Sequence, residues 1–93
     1  MSVEQTIRAR LSALQPLFLE VLDESHRHAG HAGAKESGGG HFEIVVVSAK
    51  FEGQQPLARH RMVYDALAGL MPNPIHALSI RAYTPWEAAA GKH

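Results

Sequence analysis

The segment His41-Phe42-Glu43-Ile44-Val45-Val46-Val47-Ser48-Ala49-Lys50-Phe51-Glu52-Gly53-Gln54-Gln55-Pro56-Leu57-Ala58-Arg59-His60-Arg61-Met62-Val63-Tyr64 decides the fold. Phe42, Ile44 and Val46 fall on one face of an extended chain, and Glu43, Val45 and Val47 on the other. The density of β-branched residues predicts a strand over Phe42–Val47. Its apolar character on both faces over Val45–Val47 predicts a central position in a sheet. Lys50-Phe51-Glu52-Gly53 supplies a turn, and Pro56 suits the first turn of a helix, where its missing N–H costs nothing. A strand that feeds a helix in this way is half of a βαβ unit, and its return strand must lie parallel to the first.

Downstream, a helical wheel groups His60, Val63, Tyr64, Leu67, Leu70 and Met71 on one side. That side predicts a hydrogen-bonded core position for His60. Arg61 and Asp65 lie opposite, spaced for an i,i+4 ion pair. Pro72-Asn73-Pro74 stops the helix. Ile75–Tyr83 reads as the return strand, with His76, Leu78, Ile80 and Ala82 sharing a face. Thr84-Pro85-Trp86-Glu87 has the grammar of a helix start: a threonine cap, proline at the first position and glutamate three after the cap. The short helix it opens runs through Ala90, and residues 91–93 are expected to fray.

Upstream, Ser2–Leu14 reads as an amphipathic helix capped by Ser2 and Gln5, with Val3, Ile7, Leu11 and Leu14 on one face. Pro16 ends it. Leu17–Asp23 reads as a first strand, with Leu17, Leu19 and Val21 on one face and Phe18, Glu20 and Leu22 on the other. Ser25–Gly40 contains five glycines, three histidines and no large apolar residue. It is expected to be a flexible loop. Connections of this length inside a small domain are uncommon and are usually functional or disordered. The order is thus αββαβ with a short final helix: an α+β fold whose three-stranded mixed sheet carries its helices on one face.

The chain has 93 residues, enough for one domain with one modest core. Nine basic and nine acidic side chains cancel, so no global field draws it to nucleic acid or an anionic membrane. There is no cysteine, which excludes disulfides, cysteine-ligated zinc and thiol chemistry supplied by this chain. No nucleophile is assembled with a base, so an enzyme is the class least expected. No apolar run approaches a membrane span and no basic-then-apolar leader is visible, so the expected location is the cytoplasm.

Taken in order, Leu19-Glu20-Val21-Leu22-Asp23-Glu24-Ser25, His41-Phe42, Val46-Val47-Ser48, Phe51-Glu52-Gly53, Arg59-His60-Arg61-Met62-Val63-Tyr64 and Ile75-His76-Ala77-Leu78-Ser79-Ile80 resemble the BolA family. The resemblance runs from about Leu17 to Pro85, so the whole chain is expected to be a single BolA-like domain. It implies a fold similar to the type II KH domain. It also implies partnership with a monothiol glutaredoxin, in which a [2Fe-2S] cluster is held between the two proteins with glutathione. In that role the family uses the histidine opening its third strand, here His76. A second ligand comes from the loop after the first strand, and His28 matches by spacing, with His31 as a substitute. The chain would be a monomer alone or a heterodimer with the glutaredoxin. The resemblance further implies transcriptional regulation through DNA in some members, for which Arg59, Arg61 and Lys50 are the candidate contacts.

Each residue also has a plainer reading. His76 by itself is a strand-start histidine packed beside Leu78, and His28 a solvated loop side chain. His26 and His31 with His28 could capture zinc, although a glycine-rich loop is poorly preorganised for it. Arg59 and Arg61 could line a solvated helix face. His41 could simply pack at the start of its strand. The turn before the second helix has one glycine, Gly53, so the Gly-x-x-Gly clamp with which KH domains hold nucleotides is absent. Two imidazoles cannot hold a cluster alone, and without cysteine the thiolates must come from a partner.

Overall fold

The computed structural model describes residues 2–24 and 40–91. The elements run α1 (Val3–Leu11), β1 (Phe18–Asp23), β2 (His41–Val47), α2 (Pro56–Ala66), β3 (Ala77–Tyr83) and α3 (Pro85–Ala89), with single 3-10 turns at Ser12–Leu14 and Ala49–Phe51. The local signals act where they were expected. Ser2 accepts a hydrogen bond from the Gln5 N–H at 3.1 Å, and the Gln5 side chain accepts from the Ser2 N–H at 2.9 Å. Thr84 and Glu87 repeat this reciprocal cap at the start of α3. Pro56 occupies the first turn of α2.

The three strands form one sheet in the order β1-β2-β3. β1 pairs antiparallel with β2, from Phe18 opposite Val47 to Asp23 opposite Phe42. β2 pairs parallel with β3, from His41 opposite Ala77 to Val47 opposite Tyr83. The sheet is mixed, with the β-branched strand at its centre. One face carries the core: Val21, Phe42, Ile44 and Val46 pack with Ile7, Leu11 and Leu14 from the first helical segment, and with Phe51, Val63, Leu67 and Ile75. Burying one such side chain is worth about 1.5–3 kcal/mol. Ser48 is buried among them and donates its hydroxyl to the Leu14 carbonyl at 2.6 Å, which satisfies a polar group that would otherwise be costly.

Several boundaries differ from the pattern-based expectation. The first helix is α-helical only to Leu11 and tightens into a 3-10 turn over Ser12–Leu14. α2 ends at Ala66 rather than Met71, because Leu67 leaves helical geometry and Gly69 takes a left-handed φ of 86°. The return strand starts at Ala77, since Ile75 is a buried anchor whose N–H donates to the Leu70 carbonyl. Tyr64 is 43% exposed, so it lies outside the apolar stripe assigned to it. Helices do not keep to one face. Ala88 and Ala89 of α3 border a cleft of about 380 Å³ with Phe18, Val45, Val47 and Tyr83 on the opposite face.

Candidate functional site

His76 stands at the entry to β3 with its side chain exposed. Its backbone is fixed. Its N–H and that of Ala77 both donate to the Gly40 carbonyl, at 2.8 and 3.2 Å, and Ile75 beside it is fully buried. Gly40 has a φ of 77° and lies so close that a Cβ there would sit 2.4 Å from the Pro74 oxygen and 3.1 Å from the His76 nitrogen. Only glycine accommodates both the left-handed backbone and that approach. The result is an exposed imidazole on a rigid backbone seat.

The next residue, His41, completes the seat. Its ring centroid lies 5.4 Å from that of His76, with the planes tilted by 48°. The His41 ring is half-buried and its Nε2 is shut off from solvent. It lines a shallow cleft of about 180 Å³ with Glu24, Phe42, Ala77, Leu78 and Ser79. The Glu24 N–H donates to the His41 carbonyl at 2.7 Å. Glu24 and Gly40, the residues on either side of segment 25–39, therefore both sit at this end of the sheet. The candidate ligands His28 and His31, and His26 with them, lie outside the described residues.

Among the described residues no group of three or more histidine, aspartate, glutamate or cysteine side chains is arranged to hold a metal ion. The end of the sheet thus offers one accessible imidazole and its neighbour. That donor set fits a terminal ligand position on a group whose other ligands come from elsewhere.

Arg59 is not free to meet a partner, which corrects the expectation for it. Its guanidinium forms a two-pronged pair with Glu87, at 2.6 and 3.1 Å, and also donates to the Gln54 and Ala82 carbonyls at 2.8 and 3.1 Å. The pair is largely enclosed, with side chains 12% and 28% exposed. The Arg59 hydrogen bonds, and after them the Thr84 N–H, lower the Glu87 pKa from its ordinary 4.5 to about 2, against a smaller opposing effect of burial. Arg59 is a clamp between α2, β3 and α3. Twenty-eight residues separate it from Glu87, so no local spacing advertised the pair.

Arg61 and Lys50 are exposed, as a surface contact requires. Among the described residues no ion pair joins Arg61 to Asp65, and both remain in water, where such a pair contributes little. His60 is half-buried outside the core, lining a cleft of about 330 Å³ with Pro56, Arg59, Ile80, Arg81 and Glu87. The core position expected for it is corrected accordingly. The sequence pattern also missed the role of Gly40, whose only local signal was a glycine placed directly before a strand.

Comparison with known proteins gives a consistent relationship. A family model described as BolA-like protein matches residues 11–87. BolA-like protein 1 of Mus musculus is 49% identical over 84 residues, covering 89% of this chain and 58% of the mouse protein. The chain therefore spans little more than half the length of that relative. The DNA-binding transcriptional regulator BolA of Escherichia coli is 45% identical over 87 residues, covering 91% of this chain and 76% of that protein. Among solved structures, the BolA domain of SufE1 from Arabidopsis thaliana superposes with a TM-score of 0.77 at 40% identity, covering 94% of this chain and 98% of that one. With the strand order, the capped helices and the signature blocks in place, the chain belongs to the BolA-like protein family.

Proposed function

We propose that this chain binds a monothiol glutaredoxin and shares with it a [2Fe-2S] cluster for iron–sulfur trafficking or iron sensing, His76 being one ligand. One observation carries the reading: an exposed imidazole held on a rigid backbone seat, in a chain with no cysteine. A neutral imidazole can ligate cluster iron and, in place of a thiolate, raises the reduction potential. The thiolates come from the partner's cysteine and from glutathione, so the chain alone holds no cluster. His28 is the favoured second ligand and His31 its substitute.

The test is reconstitution of the cluster with a monothiol glutaredoxin and glutathione, followed by visible circular dichroism. Mixing with this chain should change the spectrum, and His76→Ala should abolish that change. Because His76 is exposed, the same variant should leave stability within about 0.5 kcal/mol of wild type. A spectrum indifferent to the chain or to His76→Ala refutes the reading.

A second reading, DNA-binding transcriptional regulation, draws support from the name of the Escherichia coli relative and from the exposed Lys50 and Arg61. The engaged Arg59 and the zero net charge weigh against tight binding. Duplex affinity measured against salt distinguishes the two. Phosphate neutralisation gives a log–log slope near −0.9 per contact, which Lys50→Ala and Arg61→Ala should each reduce by about one unit.

A further inference from the structure

His76 is bound to the sheet by its backbone, yet its side chain is exposed, and an imidazole without restraint would rotate about two torsions. A ligand that samples many directions binds iron weakly, because its donor nitrogen must be immobilised at the moment of binding. The one ring contact recorded for His76 among the described residues is with His41. His41 is placed by four independent features. It opens the central strand, its residue pairs with Ala77 of β3, its carbonyl accepts from Glu24, and its ring is half-buried with Nε2 closed to water. The less mobile ring therefore faces the more exposed one.

We infer that His41 is a positioning residue for His76: the His41 ring, 5.4 Å away and tilted by 48°, restricts the His76 imidazole to the orientation in which it is offered to iron. Gly40 sets the His76 backbone and His41 sets its side chain, so two consecutive residues aim the ligand. The inference rests on the proposed function for its purpose, and on the ring contact alone for its geometry. In metal sites generally, the groups that orient a ligating histidine matter almost as much as the ligand, and their loss lowers metal affinity about 10–100-fold.

The experiment compares wild type, His41→Ala, His41→Phe and His76→Ala in the full chain. The first readout needs no cluster. The His76 ring protons of the apo protein, followed by NMR, should shift in His41→Ala when the neighbouring ring current is lost, and His41→Phe should again show a ring-current shift. The second readout uses the reconstituted glutaredoxin complex. His41→Ala should alter the visible circular dichroism and speed cluster loss to a chelator about 10-fold, whereas His41→Phe, which restores a ring of similar breadth, should stay within about 2-fold of wild type.

Unmoved His76 resonances in folded His41→Ala overturn the inference, as does an unchanged rate of cluster loss. Equal loss in His41→Phe and His41→Ala also overturns it, since the imidazole nitrogen rather than the ring would then be required. If His76→Ala leaves the cluster spectrum intact, the proposed function fails instead, and the NMR comparison still decides whether the two rings are in contact.

Discussion

Gly40 and Gly53 have nearly the same backbone, with φ of 77° and 78°, but opposite surroundings. Space for a Cβ at Gly53 is open, whereas at Gly40 it meets the Pro74 oxygen and the His76 nitrogen. The pair therefore separates conformational strain from collision. Gly53→Ala should cost only the left-handed backbone penalty, about 1–2 kcal/mol. Gly40→Ala should cost more, about 2–4 kcal/mol, because segment 74–76 must also move. Urea denaturation measures the difference as a midpoint displacement at constant m-value. Equal costs would show that the seat under His76 yields freely. A glycine before a strand is visible in the sequence, but the atoms it faces are 34 to 36 residues away. Its purpose was therefore not legible.

At the scale of elements, local signals identified the elements and their caps, and missed where two of them end. The reciprocal caps at Ser2 and Thr84 are written in four-residue windows and form as expected. The end of α2 depends on whether Leu67–Met71 gains more from continuing the helix or from dropping Leu67 and Ile75 into the core, which no window contains. The Arg59–Glu87 clamp likewise joins α2 to α3 across the edge strand. It gives the fold a defined acid response. A carboxyl whose folded pKa lies below its unfolded value stabilises fully above the unfolded value and progressively less as pH falls through the folded one. Glu87→Gln should therefore lower the thermal midpoint near neutrality. The gap from wild type should close as pH falls from 4.5 to about 2. A gap that persisted unchanged across that window would mean the ion pair contributes nothing to folding.

At the scale of the molecule, one small core supports everything. Phe51 is fully buried in the turn between β2 and α2, and it belongs to a cluster drawn from α1, α2 and the sheet. Phe51→Ala should cost about 3–5 kcal/mol, a large share of the 5–15 kcal/mol by which domains of this kind are stable. Calorimetry should show a large fall in melting temperature, and a fall of only a few degrees would contradict the assigned core. The opposite face of the sheet behaves differently. Phe18 and Leu22 there are exposed, and Arg81 approaches Glu43 at 4.0 Å, so substitutions at Phe18, Leu22 and Arg81 should be mild, whereas Val47 is buried.

The sequence by itself determined the element order, the central place of His41–Val47, the parallel return strand and the family. The architecture follows from alternation, helical periodicity and caps, whose causes lie within a few residues, and the family from the resemblance of the ordered sequence blocks. It also singled out His76 as the side chain to watch. Only the tertiary structure decided that Arg59 is spent on Glu87, that His60 lines a cleft, and that Gly40 and His41 flank His76. Those outcomes depend on which residues the sheet and the crossover bring together from distant parts of the chain. The stretch that fixes the architecture thus begins at His41, and with Gly40 just before it supplies the two residues against which the candidate ligand rests.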